Sequence, residues 1–256
     1  MFELSAANIE AILPFIAIGF AAQLIDGALG MAFGLINSTL LVSVMGVPPA
    51  VASASVHAVE TFTTAASGAS HVLHKNVNWK LFGRLAIPGM IGGALGAYVL
   101  SHVDAGVAKP FVMAYLAAIG LYLLYRAWHG AVEPKKPRII EPLGLVGGFL
   151  DAAGGGGWGP VVTSNLLVQG AEPRYTIGTV NTAEFFLTTT ISIAFILHLG
   201  FAAFTIATLG LLIGGLVAAP LGGVLAKRVP GRPLMAMVGT LLTLTSVFSI
   251  WQALSK

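Results

Sequence analysis

Asp26, His57, Glu60, Asp151 and Glu184 lie inside apolar runs that carry no lysine or arginine at mid-span. An ionisable side chain in such a place is costly and by default marks a transport pathway, a proton relay or a binding site. His57 and Glu60 stand three residues apart and share a helical face. They can hold one proton between them, or a protonated His57 can pair with an anion. Asp26 and Asp151 each open a glycine-rich break, "DGALGMAFG" (26–34) and "DAAGGGGWGP" (151–160). Two roles stay open for these aspartates. Each can cap the start of a half-helix, or each can carry charge in proton or cation coupling.

An anion held at such a place without lysine or arginine needs another positive source. Helix N-termini offer about half a unit of charge and free N–H groups. Pro160 suits the first position of a helix. Gly30, Gly34, Gly155, Gly156 and Gly157 would bare backbone N–H groups to a ligand. The expectation is two facing N-termini that cradle a small anion. Gln23, Asn37, Ser38, Asn165, Asn181 and Thr182 would supply side-chain donors, and Trp158 a wall. Glycines at 91–93, at 221–223 and at Gly19 are read instead as close helix-packing positions.

The elements that must position these residues are membrane helices. Of the 256 residues 56% are hydrophobic and only 9% charged, with a mean hydropathy of +0.88. Water-soluble domains carry about 25% charged residues. There are no cysteines, which excludes disulfides, thiolate nucleophiles and cysteine-ligated metals. The first residues, "MFELSAANIEAILPF", lack the basic start of a signal peptide, so the first apolar run is read as mature structure. Apolar stretches fall at 9–46, 50–74, 80–101, 107–128, 139–169, 173–198, 200–226 and 231–253. Six match one crossing of about 20 residues. The stretches 9–46 and 139–169 would measure about 57 Å and about 46 Å as helices, too long for one crossing of about 30 Å. Each has a glycine break near its middle. Each is therefore read as two half-length helices meeting at a break, which survives at membrane depth only when buried in protein or lining a wet cavity.

Basic residues support hairpins. If both broken segments return to their starting side, 11 of the 13 lysines and arginines share one face, and only Lys109 and Lys256 lie on the other. By the positive-inside rule that face is cytoplasmic and both termini are outside. Two full short helices per segment would give the same parity.

The halves repeat. "GFAAQLIDGALGMAFG" (19–34) aligns with "GLVGGFLDAAGGGGWG" (144–159), placing Asp26 on Asp151. "SVHAVETFTT" (55–64) aligns with "TVNTAEFFLT" (179–188), placing Glu60 on Glu184 and His57 on Asn181. With topology reversed between them this is an inverted repeat, the sequence pointer to a secondary transporter with a mid-membrane site. The predicted fold is an all-α integral membrane protein of two inverted repeats, each a broken or re-entrant hairpin plus three transmembrane helices. The repeats span 1–128 and 142–256, and 129–141 is a cytoplasmic linker.

The chain resembles the sulfite exporter TauE/SafE family over about residues 5–253. The resemblance is carried by "GGGGWGP" (154–160), "HKNVNWKLFGRL" (74–85) and "IPGMIGGALGAYVLSHV" (87–103). It implies a bacterial plasma-membrane permease for small sulfur-containing anions such as sulfite, sulfonates or sulfoacetate. Two departures fall where substrate would sit: "GMAFG" (30–34) replaces a glycine run, and Val56-His57 replaces a Thr-Ser pair.

The expected function is therefore a secondary transporter for a small sulfur anion, with a passive anion channel on the same fold as the alternative. An intramembrane enzyme is disfavoured, since there is no "HExxH" or "GxSxG"; no Walker motif is present either. No cofactor is expected. No metal is expected, because His71 and His74 lack a third ligand. The expected partners are the anion and the bilayer, with no nucleic acid; a homodimer is allowed.

Overall fold

The structure is a computed structural model, and it describes residues 6–102, 109–129, 135–154, 156–200 and 205–254. Gly155, proposed for the anion cradle, and residues 130–134 of the linker lie outside the described residues.

All described elements are helical. The first broken segment forms α1 (Ala6–Leu29) and α2 (Phe33–Thr39), with a π-helical turn at Leu40–Val44 continuing α2. α3 (Pro49–Leu73), α4 (Trp79–His102) and α5 (Lys109–His129) complete the first half. The second broken segment forms α6 (Glu141–Gly154), a π-helical turn at Gly159–Thr163 and α7 (Ser164–Val168). α8 (Pro173–Leu199), α9 (Ile206–Arg228) and α10 (Gly231–Leu254) follow.

The single-crossing stretches match α3, α4, α5, α8, α9 and α10. The half-length expectation holds for α6, with 14 residues, and is corrected for α1, whose 24 residues make about 36 Å of helix. Ten residues cause the difference. The stretch before Gly19 is apolar and helical, whereas the stretch before Gly144 runs through "EPKKPRIIEP", where Pro134, Pro137 and Pro142 oppose a longer helix. Among the described residues five helices are long and apolar enough to cross a membrane: α1, α4, α8, α9 and α10. α3, of 25 residues, is as long but carries serines, threonines, His57 and Glu60, most of them buried inside the bundle.

The packing pairs follow an exchange of halves. α1 packs on α9 as α6 packs on α4, and α3 on α9 as α8 on α4; α3 pairs with α8, and α5 with α10. Small residues make these approaches close. A Cβ on Gly214 would overlap the carbonyl of Ile16, and one on Gly92 the carbonyl of Leu145. In a bilayer, where lipid offers the same apolar surroundings, such backbone contact is a principal source of helix association. Large apolar side chains such as Leu73, Trp128 and Leu197 face outward, as a lipid-facing surface requires.

Candidate functional site

α1 stops at Leu29 because Gly30 takes a left-handed conformation (φ 70°). Ala32 follows at φ 122°, a region a residue with a Cβ occupies only under strain. α2 then begins, and the Asp26 carboxylate accepts the Phe33 N–H at 3.4 Å. In the second half Gly156 turns the chain at φ 147°, and the Asp151 carboxylate accepts the Trp158 N–H at 2.9 Å. Each aspartate reaches seven residues ahead across its own break. The geometry is that of a cap on the restarting helix.

The breaks meet tip to tip. A Cβ on Gly156 would overlap the backbone of Gly34 and Leu35, and one on Gly159 the backbone of Gly30 and Met31. Thr163 Oγ1 donates to the Gly30 carbonyl at 2.8 Å. Gly157 packs on its own segment, where a Cβ would lie 2.7 Å from the Leu150 carbonyl carbon. The expected convergence of Gly30, Gly34 and Gly156 is thus a backbone-to-backbone contact. Helix-start N–H groups at the tips are engaged by acids: Phe33 by Asp26, Trp158 by Asp151, and Gly34, one of the expected cradle glycines, by Glu60. Trp158 is fully buried against Gly89 and Gly147, and its indole N–H donates to the Val180 carbonyl.

α3 and α8 carry the remaining acids. Asp26, Glu60, Asp151 and Glu184 are all buried and close enough to feel one another's charge. His57 is fully buried, with Nε2 3.1 Å from Asp151 Oδ2 and 4.0 Å from Glu60 Oε2. Its Nδ1 lies 2.7 Å from the Ser53 carbonyl. A carbonyl only accepts, so Nδ1 carries a proton. One further proton must then lie between Nε2 and Asp151. His57 with Asp151 is net neutral whether that proton sits on the ring or on the acid.

Counter-charge is scarce. α1, α2, α3, α6 and α7 contain no lysine or arginine, and α8 has only Arg174, in its first turn. Arg174 is spent on Asn76 Oδ1 and the His74 carbonyl, and Arg126 on the Leu167 and Val168 carbonyls that end α7.

Some buried polar atoms have no hydrogen-bond partner among the described residues. They are Gln23 Oε1 and Nε2, Asn37 Oδ1, Glu60 Oε2, Thr63 Oγ1, Glu184 Oε2 and, on α10, Ser246 Oγ. Orphaned buried polar groups are rare in folded proteins and call for an explanation. Gln23 is one turn before Asp26 on α1, and Thr63 one turn after Glu60 on α3. The Asn37 amide folds back on its helix to donate to the Phe33 carbonyl, along the turn whose Gly34 N–H meets Glu60. Thr63 was not singled out from the sequence, though its spacing of three from Glu60 was the available signal.

The other predicted donors have structural partners. Asn181 accepts from Ser67 and donates to the Asp26 carbonyl, tying α8 to α3 and α1. Asn165 donates to the Val161 carbonyl and Thr182 to the Gly178 carbonyl, each within its own segment. Ser38 is buried on α2. His71 clamps the Gly27 carbonyl, and His74 bonds its own helix at Ser70. Among the described residues no group of three His, Cys, Asp or Glu could hold a metal.

A cavity of about 350 Å³ lies near the Pro48 end of α3. Its lining includes Phe15, Leu41, Val51 and Ala207, and is almost wholly apolar. A cluster containing Phe33, Val56, Val59 and Leu211 packs close by.

Comparison with known proteins places this bundle. The model of the sulfite exporter TauE/SafE family matches residues 15–249. The chain belongs to that family. It is 41% identical over 244 residues to the probable membrane transporter protein YtnM of Bacillus subtilis, covering 92% of this chain and 81% of that one. It is 28% identical over 161 residues to a probable membrane transporter protein of Haemophilus influenzae, covering 61% of this chain and 62% of that one. No solved structure matches it. As a TauE/SafE member it is a multi-pass membrane transporter and not an enzyme.

Proposed function

We propose that this TauE/SafE protein is a secondary transporter that moves a small sulfur-containing anion, such as sulfite or an organosulfonate, across the bacterial plasma membrane. Its halves are inverted-topology repeats, with both termini outside and the 129–141 linker in the cytoplasm. The observation that carries this reading is the meeting of two interrupted segments, Gly156 on Gly34–Leu35 and Gly159 on Gly30–Met31, beside buried side chains with unpartnered polar atoms. Discontinuous helices that meet at a repeat interface are where secondary transporters hold their cargo. The exchange of packing pairs between the halves and the one-sided placement of basic residues support the inverted topology.

The anion binds beside the capped tips, where Gln23, Thr63, Glu60 and Glu184 present unpartnered atoms. Purified protein in liposomes should carry labelled sulfite or sulfoacetate with saturating kinetics and mutual competition. Flux that rises linearly with concentration would make it a channel. A failure of every sulfur anion to cross would remove the substrate assignment.

A further inference from the structure

Among the described residues of α1, α2, α3 and α8, buried acceptors without partners outnumber such donors. The acceptors are Glu60 Oε2, Glu184 Oε2, Asn37 Oδ1 and Gln23 Oε1; the donors are the Gln23 amide N–H group and the Thr63 hydroxyl. A bare anion has only acceptors to offer, and the nearby helix-start N–H groups are already taken by Asp26, Glu60 and Asp151. No lysine or arginine compensates. As an ionised cluster, the site would repel the cargo proposed above.

One chemical change reverses this. A proton on Glu60 Oε2 removes a buried charge and converts an orphaned acceptor into an O–H donor, and the same holds for Glu184 Oε2. The two new donors come from α3 and α8, the helices that pair across the centre of the molecule. With the Gln23 amide and the Thr63 hydroxyl they supply donors for sulfonate oxygens and remove two negative charges.

We propose that Glu60 and Glu184 are proton carriers, and that the transporter moves its anion together with protons in the same direction. This rests on the anion-transporter reading and deepens it. Protons enter from the aqueous phase on the loading side, bind the two carboxylates and let the anion bind. When the anion leaves on the other side the carboxyls release their protons there, and the cluster returns to its starting charge. Linkage makes this reciprocal: protons raise affinity for the anion by the factor by which the anion raises affinity for protons. His57 Nε2 is bonded to Asp151 Oδ2 at 3.1 Å and stands 4.0 Å from Glu60 Oε2, so the nearest ionisable neighbour of Glu60 is already paired.

The titratable groups facing Glu60 and Glu184 are Asp26 on α1, His57 on α3 and Asp151 on α6. His71, further along α3, is committed to Gly27. α2 and α7 carry no titratable side chain. Those of α4 and α9, namely Lys80, Arg84, Tyr98, His102, Lys227 and Arg228, are exposed.

Two measurements on the full-length protein test this separately from the cargo. Infrared difference spectra of the substrate-free protein in detergent should show a protonated-carboxyl band that is gained as pH falls from alkaline to neutral, where exposed carboxylates stay ionised. Glu60→Gln and Glu184→Gln should each reduce that band and the double variant should remove most of it, with folding checked by circular dichroism. A band unchanged in both variants overturns the proposal.

The second measurement uses liposomes with the membrane potential held at zero and labelled sulfoacetate, whose sulfonate stays ionised at any working pH. An imposed pH gradient should drive accumulation on the alkaline side. Accumulation should be lost in Glu60→Gln and in Glu184→Gln. Sulfoacetate flux indifferent to the gradient overturns the proposal. If no sulfur anion crosses under any condition, the cargo assignment fails, and the infrared result still decides proton binding.

Discussion

Residues that align between the two halves of the sequence differ in chemistry at three buried positions. Gln23, Asn37 and Thr63 align with Gly148, Val162 and Leu187. The first three hold buried polar atoms without partners. Their counterparts pack closely: a Cβ on Gly148 would meet the Gly89 backbone, Val162 fills the space beside Gly147, and Leu187 the space beside Gly93. The breaks differ in the same sense. Asp151 holds the Trp158 N–H at 2.9 Å and His57 at 3.1 Å, whereas Asp26 holds the Phe33 N–H at 3.4 Å. Gly157 stands at the turn position where the first half has the strained Ala32. At these positions the second half is closely packed and firmly capped, and the first is more polar and looser in geometry. Glu60 and Glu184 are the exception, an acid kept at the same aligned position in both halves.

The contrast can be broken most severely at the tips. Gly156→Val places a Cβ on the Leu35 backbone at a φ that valine rarely adopts, and should destabilise by about 3 kcal/mol or more. Gly154→Ala, with nothing within 4 Å of the new Cβ, should fall within about 0.5 kcal/mol of wild type. Thermal unfolding of the pair in detergent tests whether the tip contact is what holds the halves together.

The aspartates come next. Asp151→Ala removes both a cap and the partner of a buried histidine, and should cost about 3 kcal/mol. Asp26→Ala should cost about 1 kcal/mol. Equal losses would mean that the breaks are energetically alike and that the His57 contact adds nothing.

A smaller effect of opposite sign is expected at Gln23. Gln23→Met removes two orphaned polar atoms and should leave stability unchanged or raise it by about 1 kcal/mol, while anion uptake falls. Val162→Asn puts an amide beside Gly147 in close packing and should cost about 2 kcal/mol. A marked loss of stability in Gln23→Met would show that Gln23 is structural.

The smallest effect is outside the tips and the site. Arg84 and Glu141 form an exposed pair between α4 and α6, and the Arg84 guanidinium holds the Glu141 carboxyl below its ordinary range. The stabilisation is present above the ordinary glutamate range and is lost as pH falls through the depressed value. Arg84→Ala should leave the unfolding temperature unchanged at moderate salt, because exposed pairs contribute little. A clear drop would mean that α6 is held by its rim and not by the tips.

Much of this was legible in the sequence. Hydropathy and length determined the helices, because the hydrocarbon core sets how long an apolar run must be. The spacing of Asp26 and Asp151 before their breaks, and the pairing of Glu60 with Glu184, followed from the repeat. What sequence periodicity does not carry is which donor meets which acceptor. Only the folded structure spends the helix-start N–H groups on Asp26, Glu60 and Asp151, because capping groups from distant turns converge only when the breaks pack together. The same packing buries Trp158, commits Asn181 to Ser67 and Asp26, and leaves Gln23, Thr63, Glu60 and Glu184 with unpartnered atoms. Residue types along the chain determined that this protein crosses a membrane. The tertiary packing decided which buried donors and acceptors find partners, because those partners come from distant turns of the chain.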